Sequence, residues 1–475
     1  MHNRRAFLRS LGAGTTSLLL THSNVETFAS TDKRFSAYRG ARPNFLFILT
    51  DDQRHDAMGC AGNRLIRTPT IDALAARGTR FENAFVTLSI CSPSRAACLT
   101  GRYGSATGVT RVPGTLNADE RTVAHFLRDA GYRTGMVGKW HLGNSPEDCG
   151  FDSASYFESN GPYYGRRVVE GGRQATTDAY VEQYNADRAG RFVREAAEAG
   201  EPFFLFYCTQ VPHMNHEFDW PARAETLALY DEREMPVPET WQDDLEGKPP
   251  YLKSGRNRKQ ALQYGYDHEQ CIRTHIQKYY AAITEMDAAL AQVFKTLDDV
   301  GLHDDTYVFF MGDNGWLMGE HGFTSKVLPY EESMRVPMIV AGPGINATVD
   351  RHLVLNVDLA PTLLELAGLP LPEKMHGTSL VPLLRGSRVE WRSSFLYEAP
   401  TPSLGSWPLV AVRTERWKYI QTFDKDEPTC LAFEELYHLH RDPHEMRNLA
   451  GHSRQAKRKA KFQKELAHLR DVLRA

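Results

Sequence analysis

Five short, mostly apolar runs constrain the fold of this chain more than anything else in it: residues 45–49 (FLFIL), 134–137 (TGMV), 203–207 (FFLFY), 307–311 (YVFFM) and 338–340 (MIV). They are continuous rather than alternating, a pattern that belongs to strands buried on both faces, as in a parallel sheet covered by helices. Helical patterns fall between them. Thr68-Pro69 opens one, with Gly78 read as its stop; 121–130 ends at Gly131, and 358–367 at Gly368. Residues 272–297 place Ile272, Ile276, Tyr279, Ile283, Met286, Leu290, Val293 and Leu297 on one stripe at the helical period. Strands alternating with helices predict an α/β fold, a large and mostly parallel central sheet sandwiched by helices over residues 31–385.

Beyond Gly386 the texture changes. Residues 395–399, 409–414 and 417–423 lie close together, as antiparallel strands joined by short turns do, and a basic helix over 453–474 carries Phe462, Leu466, Leu469 and Leu473 on one side. Residues 386–475 are therefore expected to form a small C-terminal α+β subdomain, the Lys/Arg run of its helix being a solvated face. Residues 214–267 are irregular and rich in Pro, Trp and Tyr, as a substrate-facing insertion would be.

Composition excludes several classes. The 475 residues hold 56 Lys+Arg against 59 Asp+Glu, a net charge of −3, so no basic field points to nucleic acid. No apolar run reaches the roughly 18 residues of a membrane span. Seven cysteines with no CxxC pair make neither a disulfide scaffold nor a zinc ribbon. Residues 1–30, with Arg4-Arg5 before a mildly apolar stretch, resemble a twin-arginine export signal, although Asn3 and Arg9 depart from the usual pattern. The expectation is an exported protein, periplasmic or secreted, carried by the twin-arginine machinery and not held in a membrane.

In open parallel sheets ligands bind beyond the carboxyl ends of the strands. After 45–49 and Thr50 come Asp51 and Asp52; after 134–137 come Gly138, Lys139, Trp140 and His141; after 203–207 come Pro212 and His213; after 307–311 come Gly312, Asp313 and Asn314. Any one of these is an ordinary turn or cap on its own. Together they put charged and metal-binding groups at one sheet edge. Adjacent acids in one site need a compensating cation. Asp51, Asp52, Asp313 and Asn314 offer oxygen donors, which suit Ca²⁺, or Mg²⁺, rather than zinc. Lys139, His141 and His213 add positive charge or protons, an arrangement suited to a tetrahedral oxyanion.

The segment Cys91-Ser92-Pro93-Ser94-Arg95-Ala96-Ala97-Cys98-Leu99-Thr100-Gly101 supplies the nucleophile. With it the chain resembles the formylglycine-dependent sulfatases of the alkaline phosphatase superfamily, of the exported bacterial glycan sulfatase type. The Cys-x-Pro-x-Arg core is joined in family order by Asp-Asp, Gly-Lys-Trp-His-Leu-Gly, Pro-His and Asp-Asn-Gly. The likeness runs from about residue 43 to 449, taking in Glu435-Leu436-Tyr437, Asp442-Pro443 and Asn448-Leu449.

The resemblance implies that a formylglycine-generating enzyme oxidises Cys91 to formylglycine, whose hydrate is the nucleophile. It implies Ca²⁺ held by Asp51, Asp52, Asp313, Asn314 and an oxygen of residue 91. Arg95 would stabilise the hydrate, and Lys139, His213 and Lys326 would hold the sulfate oxygens. His213 or Lys326 would protonate the departing alcohol and His141 would help residue 91 release sulfate. Pro93 can open a helix through 95–99, which places residue 91 at a helix N-terminus, where an oxyanion is favoured.

The expected activity is hydrolysis of a sulfate ester on a sulfated carbohydrate, with Trp220, Trp241 and Tyr251 as faces for sugar rings. Residues 212–221 and 331–337 resemble bacterial glycan sulfatases, those acting on N-acetylglucosamine 6-sulfate among them, while choline sulfate and small aryl sulfates stay open as substrates. Two other readings stand beside it: a phosphodiester or phosphonate monoester hydrolase with the same nucleophile and metal set, and an inactive module that captures sulfated glycans. Cys98, His125 and His275 are expected in structural roles, and Trp140 either packs or lines the pocket.

Overall fold

The computed structural model describes residues 42–473, so the expected export segment with Arg4 and Arg5 lies outside the described residues. Residues 42–473 lie in one compact unit. Its main sheet has ten strands: β1 (Asn44–Thr50), β2 (Gly78–Phe85), β3 (Arg133–Lys139), β4 (Ser153–Phe157), β5 (Arg166–Glu170), β6 (Arg173–Thr177), β7 (Phe203–Cys208) and β8 (Thr306–Gly312), then, past a two-stranded hairpin of β9 (Leu317–Met318) and β10 (Thr324–Ser325), β11 (Met338–Ala341) and β12 (Thr348–Leu355). The order is β12-β2-β11-β8-β1-β7-β3-β4-β5-β6. The central strands β8, β1, β7, β3 and β4 are mutually parallel, β12 runs parallel to β2, and β11, β5 and β6 join antiparallel.

The continuous apolar runs are explained by the two layers they face. Leu46 and Ile48 of β1 turn toward the helices Val181–Ala199 and Glu269–Asp299, in one core with Leu205, Tyr207, Val308 and Phe310. Phe45, Phe47 and Leu49 turn the other way, toward the helices Cys91–Thr100, Val123–Asp129 and Leu359–Leu366, with Phe204, Phe206 and Phe309. All of them are fully buried, and each such side chain contributes about 1.5–3 kcal/mol. The strand ends are thus fixed from both sides.

Gly78 has a different job from the one expected of it. The helix Pro69–Ala76 ends at Arg77, and Gly78 opens β2, where a Cβ would lie 2.5 Å from the Val340 carbonyl oxygen of β11. Close strand approach, rather than a helix stop, requires the glycine.

Near the C-terminus β13 (Ser394–Ala399), β14 (Leu409–Thr414), β15 (Lys418–Phe423) and β16 (Leu431–Tyr437) form an antiparallel sheet in chain order. The helix Ala456–Val472 packs on it through Phe462 and Leu466. One core joins this sheet to the rest: Phe85, Ile90 and Leu353 cluster with Phe395, Tyr397 and Ile420, and the Phe85 and Phe395 rings are 5.0 Å apart.

Candidate active site

The parallel register Thr50↔Gly312 sets Asp51 and Asp52 beside Asp313 and Asn314 at the carboxyl ends of β1 and β8. The Asp313 N–H donates to the Thr50 carbonyl at 2.8 Å, and the Asp52 N–H donates to Asp313 Oδ1 at 3.1 Å. Asp52 has φ +62, a left-handed conformation unusual for a residue other than glycine and one that a functional site tends to hold. Asn314 Nδ2 bonds Asp52 Oδ1 at 2.5 Å.

Cys91 opens the helix Cys91–Thr100, and Arg95 follows on the same face one turn later. The guanidinium of Arg95 lies 2.9 Å from Asp313 Oδ2 and 3.6 Å from Asp51 Oδ2, and donates to the Lys139 carbonyl at 2.7 Å. Lys139, ending β3, pairs with Asp51 and donates to Asn160 Oδ1; Lys326 pairs with Asp52. Lys326 follows β10 between Ser325 and Val327, both at positive φ. The Cys91 thiol sits among these groups, with Sγ 3.0 Å from Lys326 Nζ, 3.5 Å from Asp51 Oδ1 and 3.8 Å from Lys139 Nζ.

His213 completes the ring. Its Nδ1–H donates to the Met214 carbonyl at 2.7 Å, so Nε2 carries the lone pair that accepts from Asn160 Nδ2 at 2.8 Å and lies 3.4 Å from Asp52 Oδ2. His141, at φ +60, faces the same cavity as Cys91, and its Nδ1 has no partner among the described residues. All ten residues expected as metal ligands or reacting groups, Asp51, Asp52, Cys91, Arg95, Lys139, His141, His213, Asp313, Asn314 and Lys326, are therefore brought together.

The electrostatics follow from burial. Burial drives Asp51 up, but Lys139, His213, Lys326 and Arg95 outweigh it and hold the carboxyl well below the usual range. Burial wins at Asp52, pushed to about 6, and at Asp313, where Asp51 adds repulsion and the value reaches about 7. Burial lowers His213 to about 3 and, with Lys139 and Arg95 adding repulsion, His141 to about 2, so both rings are neutral. It raises the Cys91 thiol to about 12.

Asp51, Asp52 and His213, and Asp51, Cys91 and Asp313, each place three ligand atoms within 4.8 Å of one another. Such a cluster could hold a metal ion, and two further facts fit one: among the described residues Asp52 Oδ2 and Asn314 Oδ1 are buried oxygens without hydrogen-bond partners. Buried acceptors left without donors are costly, and a hard cation satisfies them.

Asn160 escaped the sequence reading. It bridges Lys139 and His213, but within Ser159-Asn160-Gly161-Pro162 it reads as nothing more than a turn. The aromatic residues expected to face substrate do something else. Trp220 is buried and donates to the Pro212 carbonyl, Trp241 packs against the core of the helix Glu269–Asp299, and Tyr251 stacks on Trp407 at 4.6 Å. Trp140 packs edge-on against Phe151. The side chains that line the cavity, about 260 Å³, are instead Phe218, Trp316, Arg256, Gln260 and Leu404. Cys98 is core, His125 belongs to the capping box with Thr122, and His275 packs among Trp220, Tyr264 and Tyr266. A larger cavity of about 640 Å³, lined by Arg54, His55, Glu332 and Arg413 among others, contains none of the site residues.

The sulfatase family model matches residues 43–369. The chain is a member of the sulfatase family. A second model, the C-terminal region of N-sulphoglucosamine sulphohydrolase, matches residues 319–472 of this sulfatase. Over 494 aligned residues it is 30% identical to the N-acetylglucosamine-6-O-sulfatase of Bacteroides thetaiotaomicron, covering 90% of this chain and 85% of the relative. A solved protein bound to its substrate D-glucosamine-2-N,6-O-disulfate superposes with a TM-score of 0.82 at 27% identity, over 91% of this chain and 98% of the other. The phosphonate monoester hydrolase of Agrobacterium radiobacter shares the fold at 22% identity, with a TM-score of 0.73 and 91% and 96% coverage. This sulfatase is thus a sulfuric ester hydrolase of the α/β fold expected from its sequence. No helix among the described residues is long and apolar enough to cross a membrane.

Proposed function

We propose that the protein releases inorganic sulfate from a sulfated sugar, with residue 91, as formylglycine, the nucleophile and Ca²⁺ the metal. One observation carries the reading: Cys91 stands at a helix N-terminus between two buried lysines, against a carboxylate cluster with two orphaned oxygens. Asp51, Asp52, Asp313 and Asn314, with an oxygen of residue 91, would hold the cation; Mg²⁺ suits the same donors. The bound ion supplies a Lewis acid that draws charge from the sulfate oxygens. The formylglycine hydrate brings two hydroxyls, one to attack sulfur and one to let the ester collapse again.

The other roles belong to groups the chain already presents. Lys139 and Lys326 offer fixed positive charge where the sulfate gains negative charge. Arg95, fully buried against Asp51 and Asp313, orients the hydrate of residue 91. Lys326, a cation, stands where the departing alcohol takes its proton, and His213, held by Met214 and Asn160, is the other donor once the negative charge of a bound sulfate draws a proton onto its Nε2. His141 takes the proton of the second hydroxyl. A sugar substrate is supported by the relatives that act on glucosamine sulfates and by a cavity sized for a single ring. Export by the twin-arginine route and maturation by a formylglycine-generating enzyme belong to the same reading.

The test is the mass of the peptide spanning residue 91 after coproduction with a formylglycine-generating enzyme, followed by a panel of sulfated sugars and phosphonate monoesters. An aldehyde at residue 91 and sulfate release from a sugar are expected. An unconverted thiol would favour a glycan-capturing module, and turnover of phosphonates alone would favour the phosphonate hydrolase.

A further inference from the structure

The cavity above Cys91 is lined by sixteen residues, and none of them is an Asp or a Glu. Its floor holds Cys91, His141, His213 and the buried cation Lys326. A second cation, Arg256, stands exposed at the rim, as the first residue of the helix Arg256–Gln263. Among the described residues no carboxylate lies within ion-pair distance of Arg256, so its charge is left to solvent or to a ligand in the cavity it lines.

The rim holds the backbone end of Arg256 in place. Gly405, at φ +83, brings the loop of Leu404 so close that a Cβ on it would lie 2.4 Å from the Arg256 Cβ. The stack of Tyr251 on Trp407, at 4.6 Å and 6°, fastens the same loop to the segment just before Arg256. Beside it Phe218, at φ +62, stays 56% exposed, presented by a turn in which Asn215 Oδ1 accepts from the N–H groups of Glu217 and Asp219. The Phe218 ring neighbours Tyr264, with centroids 6.2 Å apart, and its left-handed conformation in a half-exposed aromatic residue suits a ligand-facing role.

We propose that this rim is a second anion subsite: Arg256 pairs with a negatively charged substituent of the substrate other than the sulfate ester being cleaved, while Phe218 covers the apolar face of the sugar. The substrate class is accordingly a sugar sulfate carrying at least one further anion, an N-sulfo group on the same ring or a carboxylate on the next. Arginine's planar fork matches either group in bidentate fashion. The proposal rests on the sulfate-ester reading of the floor.

The experiment uses the full chain bearing formylglycine and three probes: N-acetylglucosamine 6-sulfate, N-sulfoglucosamine 6-sulfate, and a disaccharide joining a uronic acid to N-acetylglucosamine 6-sulfate. The readout is each probe's kcat/KM relative to the first. One dianionic probe should exceed the monosulfate by about fivefold to tenfold, the advantage of a charged pair at a half-open site. That ratio should fall to about one in Arg256→Ala, survive in part in Arg256→Lys, and shrink with added salt. Which of the two dianionic probes gains identifies the source of the second anion. A ratio of about one in the parent enzyme, or one unchanged in Arg256→Ala, overturns the subsite alone. Release of sulfate from none of the three overturns the sulfate-ester reading and the subsite with it.

Discussion

Cys91 sits between Lys326 and Lys139 with Asp51 behind it, so its chemistry is decided by what the side chain carries, not by access to charge. A serine in its place keeps the attack but offers no second hydroxyl with which to expel sulfate. Cys91→Ser is expected to make at most one turnover per molecule, seen as a stoichiometric burst without a steady state; sustained release would refute the diol mechanism. Asn160 is tested differently, because it touches Lys139 through its oxygen and His213 through its nitrogen. Asn160→Ala removes hydrogen bonds to a charged and an ionisable group, worth about 2 kcal/mol in the transition state, or about thirtyfold in kcat. An unchanged unfolding midpoint alongside that loss would separate orientation from folding.

At the scale of elements, the helix Val181–Ala199 reaches the site through one buried carboxylate. Glu182 accepts the N–H groups of Gln210 at 2.7 Å and Val211 at 2.9 Å, just ahead of Pro212 and His213, and Asn185 Nδ2 at 3.0 Å. Burial pushes its carboxyl up to about 7 despite these donors. The folded state therefore holds this proton more tightly than the unfolded chain does. Its contribution to stability is complete below about pH 4.5 and declines as pH rises through about 7, by up to about 3 kcal/mol. In Glu182→Gln that part of the pH dependence should vanish from denaturant unfolding curves, and an identical slope in both proteins would show that Glu182 does not titrate there. The elements legible in the sequence were those buried on both faces, because apolar runs such as FLFIL and FFLFY admit no other reading. β2 and β12 were missed because Arg80, Glu82, Asp350, Arg351 and His352 give them a half-exposed, charged texture. β5 and β6 were missed because they form a polar edge around Gly171 and Gly172. Of the candidate site, Asp51, Asp52, Lys139, His141, Asp313 and Asn314 were legible because they follow those apolar runs closely in sequence, whereas Cys91, Arg95 and Lys326 were legible only through their motifs. The rim was not, since Phe218, Arg256 and Leu404 meet only through loop geometry.

At the scale of the whole molecule, burial orders events in time. Cys91 is 2% exposed and Arg95 is fully buried, so no second enzyme can reach the thiol once the core has closed. Purified, folded protein with a thiol at residue 91 is expected to resist a formylglycine-generating enzyme that converts the denatured chain or a peptide of residues 85–105, as mass spectrometry would show. Equal conversion of folded protein would mean that the site opens. Replacing Arg4 and Arg5 by Lys should accordingly leave converted enzyme inside the cell, and finding a thiol there would place oxidation after export. The cation adds stability in the same global sense: Ca²⁺ at a hundredfold excess over its Kd should raise the free energy of unfolding by about 2.7 kcal/mol, a gain lost in Asp313→Ala.

The floor and the rim of this cavity are held by different parts of the chain. In the floor Asp51, Asp52, Lys139, Asp313 and Asn314 sit at strand ends clamped by aromatic layers and Cys91 opens a buried helix, whereas the rim hangs from the Tyr251–Trp407 clasp and a turn at Phe218. A substitution in the clasp leaves the clamped strands alone. Ancestry can therefore keep the floor fixed while letting the rim drift, and a laboratory wishing to retarget such an enzyme has the rim loops to work on before it need disturb a single strand.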